Sequence, residues 1–235
     1  MIAIYRRELQ AYFHTPAAYV FMGVFLLLAS VMYYLQILIP RSGDLLTFMG
    51  QCSYLWMLLC PVLTMRLFAE ERQKKTDQLL FTSPVSLSGI ILGKYLAAVT
   101  VMALTVLLTL VYVLVVAMFG QVFVGEMLVG YLGFLLQGAA FIALDLLATC
   151  LCASQTAAAV LAFGLNLLFW MMDLLVASVP DGVGKALSFL SLYTRHEPFL
   201  MGQLSFAAII YDLSFAAVCL LLCAYVTDMR KYRGA

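Results

Sequence analysis

Long apolar runs divide this chain, and most of its polar residues fall between them. About 20 apolar residues are enough for a helix to cross a bilayer. On that measure the runs predict six spans, at about 17–39, 48–68, 89–118, 127–153, 157–178 and 204–226. Pro40 and the polar Arg41-Ser42-Gly43-Asp44 end the first. Pro61 lies inside the second, where it removes a backbone hydrogen bond and predicts a kink that neighbouring helices must make good. The third run is longer than one crossing needs, which predicts tilt or projection beyond the bilayer. A tight connection from Phe119 to Gly125 leads to the fourth, and Ser154-Gln155-Thr156 is a minimal turn into the fifth. The segment 179–203 contains Pro180, Asp181, Gly182 and Gly184, then an apolar stretch from Ala186 to Tyr193 suited to lying on the membrane. Ahead of the first span, residues 1–15 mix Ile4, Leu9, Tyr12 and Phe13 with Arg6, Arg7, Glu8 and Gln10. This amphipathic pattern stops at Pro16 and predicts an interfacial helix, with aromatic rings at headgroup level.

Composition sharpens that picture. Of 235 residues, 65% are hydrophobic and 11% charged, with a mean hydropathy of +1.04. A soluble domain carries about 25% charge, so the solvent for most of this surface is lipid. The expectation is an all-α integral membrane protein forming one transmembrane domain over 1–235. The net charge of +1 gives no basis for a nucleic-acid partner. Arg6-Arg7 before an apolar run imitates a signal peptide, but 17–39 is too long for one, and the expectation is an uncleaved first span. The cysteines (Cys52, Cys60, Cys150, Cys152, Cys219, Cys223) form no paired C-x-x-C, so the expectation is buried thiols rather than a metal site, with Cys219 and Cys223 on one helix face. Lysine and arginine gather on one side of the predicted bundle: Arg6, Arg7, Arg66, Arg72, Lys74, Lys75, Lys94, Arg230, Lys231 and Arg233, against Arg41, Lys185 and Arg195 on the other. That asymmetry predicts a cytoplasmic location for both termini and for the loop after the second span.

That loop, at 69–88, concentrates charge as no other part of the chain does: Glu70, Glu71, Arg72, Lys74, Lys75 and Asp77. Within it Leu79-Leu80-Phe81 form an apolar knob closed by Ser83-Pro84. Thr76 can cap a short helix starting at Asp77, and Pro84 stops it. So short a helix needs packing to persist. The knob supplies it, either by dipping into headgroups or by filling a groove on a soluble partner.

The loop resembles the one between the second and third spans of ABC-2-type transporter permeases, in particular the gliding-motility-type group. The likeness is carried by Pro61-Val62-Leu63-Thr64-Met65-Arg66-Leu67-Phe68-Ala69-Glu70-Glu71-Arg72, Thr76, Leu79-Leu80, Ser83-Pro84-Val85 and Leu92-Gly93-Lys94. It continues in Ile4-Tyr5-Arg6-Arg7-Glu8-Leu9, in Tyr12-Phe13, Pro16 and Tyr19-Val20-Phe21, and in Gly130-Tyr131-Leu132-Gly133. Gly138-Ala139-Ala140-Phe141-Ile142-Ala143, Gln155, Phe199-x-x-Gly202 and Tyr211 complete it. The chain departs from the pattern at Lys75, Gln78 and Asp145, where the family carries Gly, Glu and Gly. The resemblance implies a type V exporter-like fold of six transmembrane helices, with an N-terminal interfacial helix and a short cytoplasmic coupling helix. It implies an exporter of the bacterial inner membrane, with ATP and Mg held by two separate cytoplasmic ATPase subunits. It also implies a second permease chain, the same or a close paralogue, and an auxiliary extracytoplasmic subunit. Glu70, Glu71, Arg72, Thr76, Asp77, Leu79, Leu80, Phe81, Ser83 and Pro84 would form the ATPase-coupling element. No cofactor, metal or catalytic residue is implied for this chain, and it has no Walker A sequence.

Polar residues inside the spans are the remaining candidates. Asp145, Asp173 and Asp212 each cost about 2.5–3.5 kcal/mol at mid-helix on insertion scales and must face protein or water. Asn166, Trp170 and Asp173 share one face of the fifth span; Thr105, Thr109 and Tyr112 share one of the third. These stripes serve either a substrate path or plain hydrogen bonding between helices. His196-Glu197 reads as a loop pair, His14 as structural, and the span-four glycines as close packing. A haem-exporter-type permease is an alternative of the same class. A proton-coupled secondary transporter using the three aspartates is one of another class. An intramembrane enzyme fits less well, because the aspartates lie at unlike depths.

Overall fold

The structure, a computed structural model, describes residues 1–73, 86–121, 123–176 and 191–233. The helices are α1 (Ile2–His14), α2 (Pro16–Tyr33), α3 (Leu45–Thr64), α4 (Arg66–Gln73), α5 (Leu87–Phe119), α6 (Val124–Leu151), α7 (Gln155–Val176), α8 (Leu192–Leu200) and α9 (Phe206–Arg233). A π-turn at Tyr34–Leu38 extends α2. Among the described residues, six apolar helices are long enough to cross a membrane: Pro16–Leu38, Leu45–Gln73, Leu87–Phe119, Val124–Leu151, Gln155–Met172 and Phe206–Met229. All-helical spans are what a lipid solvent demands, because each backbone N–H and C=O must be paired within its own segment.

Spans α3 and α6 sit in the middle of the bundle and are the most buried. Trp56 of α3 is edge-on to Phe21, Phe25 and Phe134. Glycines on α6 let neighbours come close, as the sequence led one to expect. A Cβ at Gly133 would lie 2.5 Å from Phe199, and one at Gly138 would collide with the Met102 side chain. Gly202 adopts φ 70°, turning the chain after α8.

The gap that Pro61 leaves in the helix ladder is filled from a neighbouring helix. Pro61 has no N–H to give the Met57 carbonyl one turn earlier. Asn166 Nδ2, from α7, donates to that carbonyl at 3.1 Å. The span runs on through Met65, which keeps helical dihedrals and donates to the Pro61 carbonyl at 2.9 Å, and α4 continues it to Gln73. Thr64, at the end of α3, donates to Cys60 O at 3.1 Å and to Asp145 Oδ2 at 3.3 Å.

Three features differ from the sequence reading. His196-Glu197 lies in a helix, not a loop, and His196 is buried. Ser191 starts that helix by accepting the Thr194 N–H, a cap the polar composition concealed. Gln155 is the first residue of α7 rather than part of a turn, with Ser154 accepting the Ala157 N–H ahead of it. The cysteines brought together are Cys150 and Cys223, sulphur to sulphur across α6 and α9, whereas Cys219 stays free.

Asn166→Leu strands the Met57 carbonyl in the bundle and is expected to destabilise the protein by about 1–3 kcal/mol. Pro61→Ala restores the missing N–H, so the double variant should melt closer to the parent than Asn166→Leu alone. Thermal melts of the purified chain in detergent check this; additive losses in the double variant would contradict it.

Candidate functional site

The densest polar constellation lies at the end of the bundle where α1, α4 and the start of α5 meet. Ser86 caps α5 by accepting the Gly89 N–H at 3.3 Å. One turn on, Gly93 allows α1 to come close: a Cβ there would lie 3.1 Å from Ile4 and 3.2 Å from the Tyr5 backbone nitrogen. The next side chain, Lys94, is therefore sealed under α1, with 0% exposure.

Its ammonium has three donors, and three acceptors meet them. They are Glu8 Oε1 at 3.0 Å, Glu71 Oε2 at 3.0 Å and the Leu67 carbonyl at 2.5 Å. The Phe68 ring lies beneath, 5.1 Å from the nitrogen. Arg7 closes the group, 2.5 Å from Glu71 Oε1 and 2.9 Å from Glu8 Oε1. Two cations thus face two carboxylates. Burial on its own would lower the Arg7 pKa; the two carboxylates outweigh it and hold the guanidinium above its ordinary value. A buried ammonium costs several kcal/mol unless paired. The joint α1–α4–α5 is therefore specified as a unit.

Two further contacts extend it. Arg72 Nη1 donates to the carbonyls of Cys150 and Cys152 at 2.6 and 2.7 Å, capping the exposed carbonyl end of α6. Arg66 binds Glu70 at 3.2 Å and Thr15 Oγ1 at 3.0 Å, with its guanidinium over the Tyr12 ring. Tyr12 itself donates to the Leu63 carbonyl at 2.9 Å. So α1 is bolted to α3 and α5 as well as amphipathic. Among the sequence candidates, Glu70, Glu71 and Arg72 all belong to this joint. Thr76, Asp77, Leu79, Leu80, Phe81, Ser83 and Pro84 lie outside the described residues.

The intramembrane candidates separate. Asp145 (0% exposed) and Asn166 come together with Cys60 and Thr64 around Pro61 of α3. Asp212 is buried on α9 with one oxygen unpartnered. Asp173 lies in α7, but its side chain is outside the description. Trp170 meets Tyr54 edge-on. Thr105 donates to its own helix at Val101 O, and Thr109 lies 3.2 Å from the Tyr131 hydroxyl. Tyr112 donates to Leu26 O at 3.0 Å on α2. The third-span stripe therefore makes hydrogen bonds within and between helices of this chain.

Sequence reasoning missed Arg7, Glu8 and Lys94 as partners, and missed His196. Lys94 was available: a lysine with apolar neighbours inside a predicted span must find counter-charges. His196 lines a cleft between α3, α6, α7 and α8 with Ser53, Tyr54, Gln137, Trp170 and Tyr193. Burial pushes its imidazole down to about 4, so it is neutral at pH 7. Among the described residues there is no group of His, Cys, Asp and Glu arranged to hold a metal ion.

The sequence pattern of the family described as ABC-2 family transporter protein matches residues 45–226, from the first residue of α3 into α9. No match was found among curated proteins.

Two outcomes are expected. Lys94→Met leaves Glu8 and Glu71 short of a cation and should cost about 3–5 kcal/mol, the range for breaking a buried pair; adding Glu8→Gln should recover part of it. Equal melting of Lys94→Met and parent would contradict the joint. For His196, the folded pKa lies below the unfolded value of about 6.5. Its contribution is thus complete above pH 6.5 and is lost as pH falls through about 4. The parent's melting temperature should drop more steeply over that window than that of His196→Leu, and parallel curves would contradict it.

Proposed function

The chain belongs to the ABC-2 transporter family, and from that membership we propose that it is the permease subunit of an ATP-driven exporter of the gliding-motility type, moved by separate ATPase subunits. The observation that carries this reading is the family match over 45–226, which takes in five of the six apolar spans. As a multi-pass membrane subunit of such a transporter the chain is not itself catalytic; ATP and Mg would be bound by the partner.

The charged joint supports the coupling part of the reading. In the proposal, the loop that follows α4, with Thr76, Asp77, Leu79, Leu80, Phe81, Ser83 and Pro84, docks in a cleft of the ATPase. Force arriving there passes first to α4 and α5. Glu71 and Lys94 bind those two helices to α1, and Arg72 binds α4 to the end of α6. A push would therefore reach four helices together. In the proposal, the place where α4 swings relative to α3 is the turn around Pro61, where the ladder lacks one N–H. Two permease chains and two ATPases complete the assembly, with an auxiliary extracytoplasmic subunit. Arg6, Arg7, Arg66, Arg72 and Lys94 all lie on the joint end of the bundle, which supports a cytoplasmic placement for that end and an inner-membrane location. Asp145, Asp212 and Trp170 remain the proposed path-lining residues.

Because Glu71 and Arg72 are engaged inside the chain, changing them would disturb the bundle as well as any docking. Leu80→Asp is the cleaner probe. It should reduce copurification of the ATPase subunits by at least about tenfold, a loss of some 1.4 kcal/mol or more, and leave the melting of the isolated chain unchanged. Undiminished copurification, with ATP hydrolysis in the complex at the parent rate, would sink the coupling assignment.

A further inference from the structure

Span α9 meets the bundle along one narrow stripe. Its buried residues recur every three or four positions, at Ala208, Asp212, Ala216, Cys219, Cys223 and Thr227, and all are small or polar. Its large side chains, among them Leu213, Leu221 and Tyr225, face outward. In lipid no hydrophobic force drives one helix onto another, so such an attachment rests on close packing and polar contacts.

At the joint end of the bundle the stripe reaches Cys150 of α6. The Cys150 and Cys223 sulphurs meet there, with their Cα atoms 6.2 Å apart. That lies inside the range of about 4.4–6.8 Å that a disulfide spans without backbone movement. Both residues are fully buried. As thiols they also have polar neighbours. Cys223 Sγ lies 4.0 Å from the Leu146 carbonyl. The Thr227 hydroxyl donates to the Cys223 carbonyl at 2.7 Å and lies 3.7 Å from Cys150 Sγ. The same helix positions therefore suit the open and the bonded pair. The Cys150 carbonyl is also where Arg72 fastens α4. One residue of α6 is thus the meeting point of α4 and α9.

We infer that Cys150 and Cys223 form a redox latch: as a dithiol they leave α9 held by its stripe alone, and as a disulfide they lock α9 to α6 beside the α4 anchor. The oxidant is hydrogen peroxide, which is small and uncharged. Cys150 sulphur attacks one peroxide oxygen, the O–O bond breaks, and a sulfenic acid and one water form. Cys223 sulphur then attacks the sulfenic sulphur; the S–O bond breaks, the S–S bond forms and a second water leaves. Two electrons pass from the sulphurs to the peroxide, and the thiol hydrogens leave in the waters. An external dithiol reverses the step by exchange. That the dithiol is the resting form rests on the cytoplasmic placement proposed for this end, since that compartment keeps thiols reduced.

The test uses the full chain in phosphatidylcholine nanodiscs, reduced with dithiothreitol, freed of it and then exposed to hydrogen peroxide. N-ethylmaleimide added in denaturant counts free thiols by intact mass. The reduced chain should take six labels. The oxidised chain should take four, at Cys52, Cys60, Cys152 and Cys219, with a peptide pair joining Cys150 to Cys223. Dithiothreitol added to the folded, oxidised chain should restore the full count. Oxidation should raise the melting temperature by about 5 °C or more, the scale for bonding two cysteines 73 residues apart. Cys223→Ala should abolish that shift; if it does not fold, Cys150→Ala replaces it, and the label count and peptide map of the parent decide in either case. Six labels after peroxide, a bond joining any other pair, a Cys150–Cys223 bond that dithiothreitol cannot open in the folded chain, or a shift that persists in the variant overturns the latch. Redox conditions are set directly and no ATPase is present, so failure here leaves the permease reading standing. Failure of that reading leaves the bond chemistry standing and changes only its resting form.

Discussion

A single ammonium group sets the geometry of one end of this molecule. Lys94 cannot be buried alone, and its three hydrogens require three acceptors in fixed directions. Glu8 comes from α1, Glu71 and the Leu67 carbonyl from α4, and Lys94 itself from α5. Those helices are far apart in sequence, yet none can shift by an ångström without leaving a charge unpaired away from water. Arg7 shares both carboxylates and brings the group to neutrality. Close packing is the precondition, because Gly93 lets α1 lie near enough to seal the site. The polar joint and the small residue beside it are one device.

A second device makes good a gap inside the bundle. Proline in α3 opens a gap in the helix ladder, and the gap is filled from outside by Asn166. The same neighbourhood holds Thr64 and the fully buried Asp145. Past the gap the helix keeps its ladder, with Met65 donating to the Pro61 carbonyl at 2.9 Å. The charged joint and the filled gap stand in series along one span, Leu45–Gln73.

Much of this was legible in advance. The six apolar spans, the amphipathic start, the missing N–H at Pro61 and the close-packing glycines follow from residue type and spacing, which act locally. What was not legible acts between distant positions. Lys94 and Glu8 are 86 residues apart and Arg72 and Cys150 are 78 apart, so periodicity along the chain carries no trace of their pairing. Asn166 looked like one member of a polar stripe. Its contact is with a carbonyl whose vacancy was created by a proline more than a hundred residues earlier. The helix Leu192–Leu200 was hidden by its own composition, since Arg195, His196, Glu197 and Pro198 read as a loop until packing buries His196 and Phe199. Cys150 and Cys223 sit on different spans, and only the fold brings them together.

The central claim is that α1, α4 and α5 move as one body when the transporter is driven. It is tested most directly by spin-label distances in the permease–ATPase complex, with and without ATP plus vanadate. Labels on the exposed Gln10 of α1 and Leu92 of α5 report on the joint; labels on Gln73 of α4 and the exposed Val160 of α7, outside the joint, report on its displacement. The account predicts that the Gln10–Leu92 distance keeps its mean and width while the Gln73–Val160 distance changes. A Gln10–Leu92 distance that lengthens or broadens on trapping would contradict it.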